Sequence, residues 1–198
     1  MMLLQGVVSE IPVGVGIKTS AGYLLTADYH ALADKPSAVG VYVYDGTHLV
    51  IVHPTARSRQ QYSPRTLIPN MVDASSHNIA IADFAGEENT LATIQAKNDG
   101  VISFAYLAEW ARGIQFSDGN KGHIPSAGEL WLIRQNITDV NDALTEIGGT
   151  TLDAANVQYV SSTQYGEQRI WRTILNGGVM TNDTKNSYFN AFAVTNKI

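Results

Sequence analysis

The chain is 198 residues long, with 13 Lys and Arg against 18 Asp and Glu, a formal net charge of −5, 44% hydrophobic and 16% charged residues. That apolar share suits a packed core and argues against an intrinsically disordered chain, and an acidic balance with no basic run argues against nucleic acid as a partner. The absence of cysteine removes disulfides, thiolate metal sites and Cys nucleophiles, and no stretch reaches the roughly 18 apolar residues of a membrane-spanning helix, so no membrane insertion is expected.

With so few charges, Ser, Thr, Asn and Gln are expected to supply much of the surface. The length corresponds to one domain with an extra segment, or to two small ones. The start, Met1 to Val8, has no basic region and is interrupted by Gln5 and Gly6. No signal peptide is expected there, unless one has been removed.

Taken in order, the first half reads as β. Val13 to Lys18 and Gly22 to Thr26 are short apolar segments around a turn-like Thr19-Ser20-Ala21-Gly22. Asp28 to Ser37 is a polar joint. Val39 to Tyr44 and Leu49 to His53 flank Asp45-Gly46, a pair that tolerates positive φ, which predicts a hairpin. Residues 54–78, with Pro54, Pro64 and Pro69 among Arg57, Arg59 and Arg65, read as a long surface loop. Ile79 to Phe84 reads as a short strand ended by Gly86.

The middle reads as helix. Ser103 to Ile114 places Phe104, Leu107, Ala108 and Ala111 at helical spacing, with Ser103 as N-cap. Ser126 to Ile147 opens with Ser126-Ala127-Gly128-Glu129, a capping box, and Asn136 to Asp139 divides it into two helices. Val157 to Ser161, Arg169 to Leu175 and Tyr188 to Val194 read as closing strands. Asn176-Gly177-Gly178 and Thr181 to Ser187 read as turns.

No catalytic constellation emerges. Gly14 to Ser20 lacks the Gly-Lys-Thr/Ser succession of a phosphate loop, and no helix pattern follows it. The histidines at 30, 48, 53, 77 and 123 form no i, i+4 pair, so neither a metal nor a cofactor is expected. Ser161-Ser162-Thr163 reads as a hydrogen-bonded turn, and Trp110 and Trp131 as packing residues. The aromatic and amide-rich stretches Tyr165 to Arg169 and Asn182 to Tyr188 have the composition of a contact surface, or of ordinary turns. The candidate ligand contacts are Tyr165, Gln168, Arg169, Asn182, Asp183, Asn186 and Tyr188, with Tyr and Arg as anchors.

From residue 104 onward the order of motifs becomes familiar. Ala105 to Trp110 is followed by Gly122-His123-Ile124-Pro125-Ser126-Ala127-Gly128-Glu129-Leu130, and then by Gly148-Gly149. Tyr159-Val160-Ser161-Ser162-Thr163-Gln164-Tyr165, Trp171 and a last strand Tyr188 to Val194 complete it. This order resembles the C-type lectin-like fold of the formylglycine-generating-enzyme and DUF1566 type, found in surface and virion proteins of Bacteroides and their phages. Gly22 to Tyr29 and Val39 to Val43 extend the resemblance upstream. Val160 stands where the family has Trp, and the closing strand lacks the family's Arg. Without cysteine the formylglycine-generating activity is not implied, and Asn182-Asp183 is only a fragment of a lectin calcium motif.

The resemblance implies an α+β fold in which two helices and small twisted antiparallel sheets carry long loops. The expected division is a β-rich anchoring and oligomerisation segment, 1–35, and the lectin-like domain, 36–198. The expected function is non-catalytic: a phage virion fibre or decoration protein that binds a host-surface glycan or protein. A secreted or surface-anchored bacterial adhesin and a purely structural virion block are the alternatives. Expected partners are further copies of the chain, as a homo-oligomer and by family analogy a trimer, and other virion proteins. The expected place is the virion surface, alternatively the bacterial cell surface.

Overall fold

The computed structural model describes residues 10–177 and 179–198. The segment Met1 to Val8 lies outside the described residues. Among the described residues eight strands form one sheet in the order β2-β1-β3-β4-β8-β5-β6-β7. They are β1 (Gly14–Thr19), β2 (Gly22–Leu25), β3 (Ala38–Tyr44), β4 (Leu49–Gln61), β5 (Gln158–Tyr165), β6 (Arg169–Ile174), β7 (Thr181–Thr184) and β8 (Tyr188–Thr195). All neighbours run antiparallel except β5 and β8, whose parallel contact is the pair Tyr159 and Asn190.

Among the described residues six helices accompany the sheet: α1 (Thr26–Ala31), α2 (His77–Ile81), α3 (Gly86–Asn98), α4 (Tyr106–Gly113), α5 (Ala127–Gln135) and α6 (Ile137–Glu146). This overturns the expected lectin-like arrangement of two helices with small sheets. The feature that changes the architecture is β4. It was read as ending at His53, with a loop beyond it, but it continues through Pro54 to Gln61. Its first half pairs with β3. β8 lines its other side, from Ile51 opposite Thr195 and Val52 opposite Val194 to Arg57 opposite Phe192 and Gln61 opposite Tyr188, with an irregularity between Val52 and Arg57. Pro54 has no N–H to give to a ladder, and it sits in that irregularity. One long strand thus fuses the N-terminal and C-terminal strands into a single sheet. β1, within the segment expected to stand apart, pairs with β3.

Strand alternation sends side chains to both faces. Val41, Val43, Val50, Val52, Phe192 and Val194 pack against Leu130 and Ile133 of α5 and Val140 and Leu144 of α6. On the opposite face Val160, Ile170, Phe189 and Ala191 meet Leu107, Ala108 and Ala111 of α4 and Ala96 of α3. Phe116 covers Val39, Tyr42 and Ile51 further along. Trp110 and Trp131 pack at the edges of these clusters.

Other local readings are corrected. Residues 79–84 were expected as strand, but Ser76 caps α2 by accepting from Ile79 N. The Thr181 to Ser187 turn contains β7. Ser161-Ser162-Thr163 is not a turn but fully buried strand. Ser103 is not the cap of α4, whose N-cap position is Ala105. α3 had no counterpart in the reading. Its buried positions are Gly86, Asn89, Thr90, Thr93 and Ala96, a helical spacing written in small and polar residues.

That polar face belongs to a buried network. Asp83 accepts from Asn89 Nδ2 at 2.9 Å, from Ala85 N at 2.8 Å and from Thr163 Oγ1. Its main-chain oxygen accepts from Ser126 Oγ at 2.7 Å and Gly128 N at 2.8 Å. Burial pushes the Asp83 carboxyl up, opposed by these hydrogen bonds, with the nearby Glu129 adding to the rise. The capping box is formed as the sequence indicates: Ser126 Oγ accepts from Glu129 N and Glu129 accepts from Ser126 N. Glu129 also meets His123 Nε2 at 3.2 Å.

Gly128 shows how tightly α5 is seated. A Cβ there would lie 2.3 Å from Asp83 O and 2.8 Å from Ile81 O, whereas one on Gly113 would meet nothing within 4 Å. Helix propensity alone favours Ala at both positions. Gly128→Ala is expected to lower stability by about 3 kcal/mol through overpacking. Gly113→Ala is expected to raise it by less than about 1 kcal/mol. Urea unfolding of the two variants against the parent checks both; equal effects would contradict the close seating of α5.

Candidate binding surface at the end of the sheet

The end of β4, the segment 62–68, the β5–β6 turn and the β7–β8 turn meet at one end of the sheet. What joins them is Lys185, a residue of the β7–β8 turn with 0% exposure. Its main-chain oxygen accepts from Tyr62 N at 3.2 Å and Ser63 N at 3.3 Å, and its N–H donates to Gln168 O at 3.0 Å. Its Nζ donates to Thr66 O at 2.8 Å and to Gln164 Oε1 at 2.7 Å. Gln164, 1% exposed on β5, in turn donates Nε2 to Ile68 O and Met71 O. Burial lowers the Lys185 pKa to about 8, against the pull of Asp73 and Glu167.

On the outside of this junction lies an open recess of about 270 Å³, lined by Gln60, Gln61, Tyr106 and Tyr188. β4 supplies the two amides, β8 supplies Tyr188 opposite Gln61, and the first residue of α4 supplies Tyr106. Gln61 Nε2 donates to Asn186 O at 2.6 Å, and Arg65 Nε donates to Asn186 Oδ1 at 2.9 Å. The β7–β8 turn is therefore clamped beside the recess.

The seven residues singled out in the sequence separate into distinct places. Asn186 and Tyr188 stand at this recess. Gln168 is exposed in the β5–β6 turn and contributes its main-chain oxygen to Lys185. Tyr165 is half-buried, with its ring edge-on to Trp171 at 5.5 Å. Arg169, Asn182 and Asp183 lie on β6 and β7 at the sheet edge. There Arg169 Nη1 donates to Asn182 Oδ1 at 2.9 Å, and Arg172 Nε lies 3.2 Å from Asp183 Oδ2. These edge groups are paired with one another across the two strands. Gln60, Gln61, Tyr106 and Lys185 were not singled out: the first two fell in an expected loop, Tyr106 in a helix pattern, and Lys185 in a polar turn.

A second groove, of about 560 Å³, runs between Val15, Leu25 and Ala27 on one side and Asp139, Asp142 and Glu146 of α6 on the other. Glu146 is engaged there by His30 and Lys35. Among the described residues no three His, Asp or Glu side chains converge to hold a metal ion, and no helix is long and apolar enough to cross a membrane.

No protein-family model matches the chain. No curated protein matches it in sequence either. Among solved structures, the fold is similar to that of a fimbrial protein from Bacteroides ovatus, with a TM-score of 0.66 at 13% identity. The match covers 93% of this chain and 48% of the fimbrial chain, so this chain spans about half the length of that protein. At that identity the likeness defines a fold class shared with a fimbrial protein.

The buried amine gives a pH dependence. Lys185 binds its proton less tightly when folded, at about 8, than at its ordinary 10.5. Below pH 8 both states hold the proton, and the cost of burying the charge is paid in full. Between about 8 and 10.5 the unfolded state holds more proton, so this group's contribution to stability rises with pH. Thermal unfolding of the parent minus that of Lys185→Met is expected to grow in favour of the parent across that window. A difference that stays flat from pH 7 to 10.5 would place the amine in water.

Proposed function

We propose that the protein is a non-catalytic component of a bacterial cell-surface appendage or adhesin, and that the recess-bearing end of the sheet is its recognition surface. The observation that carries this reading is the likeness to a fimbrial protein over 93% of the chain. The geometry of the surface agrees with it. The exposed groups at the junction are amides, phenols and main-chain-clamped turns on a rigid support, the make-up of a contact surface. Association with further copies of the chain or with other appendage proteins belongs to the same proposal. The reading as a bacteriophage fibre has no counterpart among these observations, and the bacterial surface reading takes its place.

Antibody labelling of intact cells of the source organism tests it. Label is expected on the outside of unpermeabilised cells. Label that requires permeabilisation would overturn the proposal.

A further inference from the structure

The recess between Tyr106 and Tyr188 is selective in what it offers. Its four lining residues carry no formal charge. Tyr188 is 65% exposed and Tyr106 is 47% exposed. Phe104 stacks on Tyr106 with ring centroids 4.7 Å apart and planes 17° apart. One face of the Tyr106 ring is therefore backed by another ring, and the ring is held as a platform.

The two amides are oriented by their donor ends. Gln60 Nε2 donates to Ser58 Oγ at 2.9 Å, and Gln61 Nε2 donates to Asn186 O at 2.6 Å. Each leaves Oε1 without a hydrogen bond among the described residues, and so do both phenol hydroxyls. Gln61 shares its face of the sheet with Tyr188, its cross-strand partner, while Gln60 alternates to the face of Phe189. The free groups beside the phenol rings are thus the Gln61 Oε1 acceptor and two hydroxyls that donate or accept, next to aromatic faces whose π-electrons are the negative side of a quadrupole.

The geometry points to a neutral sugar ring, a hexopyranose unit of an uncharged glycan, as the ligand of this recess. This deepens the surface-recognition reading and rests on it. The weakly positive C–H face of such a ring suits an aromatic platform, and its hydroxyls supply the donor that Gln61 Oε1 lacks. A charged sugar would give up hydration with no counter-charge in the lining, which costs free energy. A peptide strand brings as many carbonyl acceptors as N–H donors, and only the phenols are free to donate to it. The recess is open and smaller than the roughly 300–1,000 Å³ of enclosed small-molecule sites. Single-site binding is therefore weak, and repeated copies on a surface raise it by avidity.

Saturation-transfer NMR on the full chain tests this. The probes are the methyl glycosides of glucose, galactose, mannose and N-acetylglucosamine, with methyl glucuronide and a sialoside as charged controls. At least one neutral glycoside is expected to bind in preference to the charged ones. Tyr188→Ala and Tyr106→Ala are each expected to raise its Kd about tenfold, the loss of one aromatic platform. Tyr188→Phe keeps the ring and is expected to change Kd far less. The side chain of Tyr188 is mostly exposed, so its variants are expected to melt with the parent. Absence of binding by every neutral glycoside, preference for a charged one, or unchanged Kd in both Ala variants would overturn the inference. A surface-labelled protein that binds no glycoside overturns the ligand class alone. Glycoside binding by a protein found only inside cells overturns the surface reading instead.

Discussion

A lysine amine with no access to water organises the end of this sheet. Burying a lysine is costly unless every polar atom finds a partner. Lys185 finds partners for each of its polar atoms: main-chain N donates to Gln168, main-chain O accepts from Tyr62 and Ser63, and Nζ donates two of its hydrogens to Thr66 and Gln164. Those partners come from two stretches of chain far from each other in sequence, residues 62–66 and 164–168. The condition that keeps the amine buried therefore fixes the end of β4, the segment after it, β5 and two turns relative to one another. Tyr188 and the two glutamines of the recess sit directly on this junction. Tyr106 reaches it because α4 packs over β4 and β8. A pre-ordered surface loses less side-chain and loop freedom on binding than one that orders on contact.

The helices are fastened to the sheet by a second polar interior. The first amides of α5 are all satisfied: Ala127 N by Thr163 Oγ1, Gly128 N by Asp83 O and Glu129 N by Ser126 Oγ. Those partners come from β5, the α2–α3 connection and the helix itself. Satisfied polar networks in a low-dielectric interior are directional, so they specify one seating of α5 where apolar packing alone would accept several. The composition gains a different meaning in this light. The uncharged polar residues do not only clothe the surface. Asn89, Thr90, Thr93, Ser126, Ser161, Ser162, Thr163 and Gln164 are all buried.

The parts of the fold that were legible in the sequence are those with local signals. Asp45-Gly46 marked the β3–β4 hairpin, Ser126 and Glu129 marked the start of α5, and the Asn136 to Asp139 interruption separated α5 from α6. What stayed hidden was non-local or carried by unusual residue types. α3 has helical periodicity in Asn, Thr, Gly and Ala, which no apolar stripe reveals. The second half of β4 contains Arg57, Ser58, Arg59, Gln60 and Gln61 and follows a proline. Its partner strand β8 lies some 130 residues away in sequence. The lectin-like reading rested on the order of short motifs from residue 104 onward, and such motifs do not report which strands pair. At the candidate site, Asn186 and Tyr188 were legible from composition. Lys185, between Thr184 and Asn186, has nothing in its neighbours to mark it as buried, because its acceptors come from residues 66 and 164.

The account stands on Lys185 making this end of the sheet one rigid unit with the core. Native-state hydrogen exchange, followed by NMR at the amides of Tyr62, Ser63 and Lys185, measures that directly. The account predicts exchange as slow as at Val50 and Val52 in the central strands, through the same cooperative opening. Exchange of these three amides at loop rates, with Val50 and Val52 still protected, would show a mobile end and contradict it.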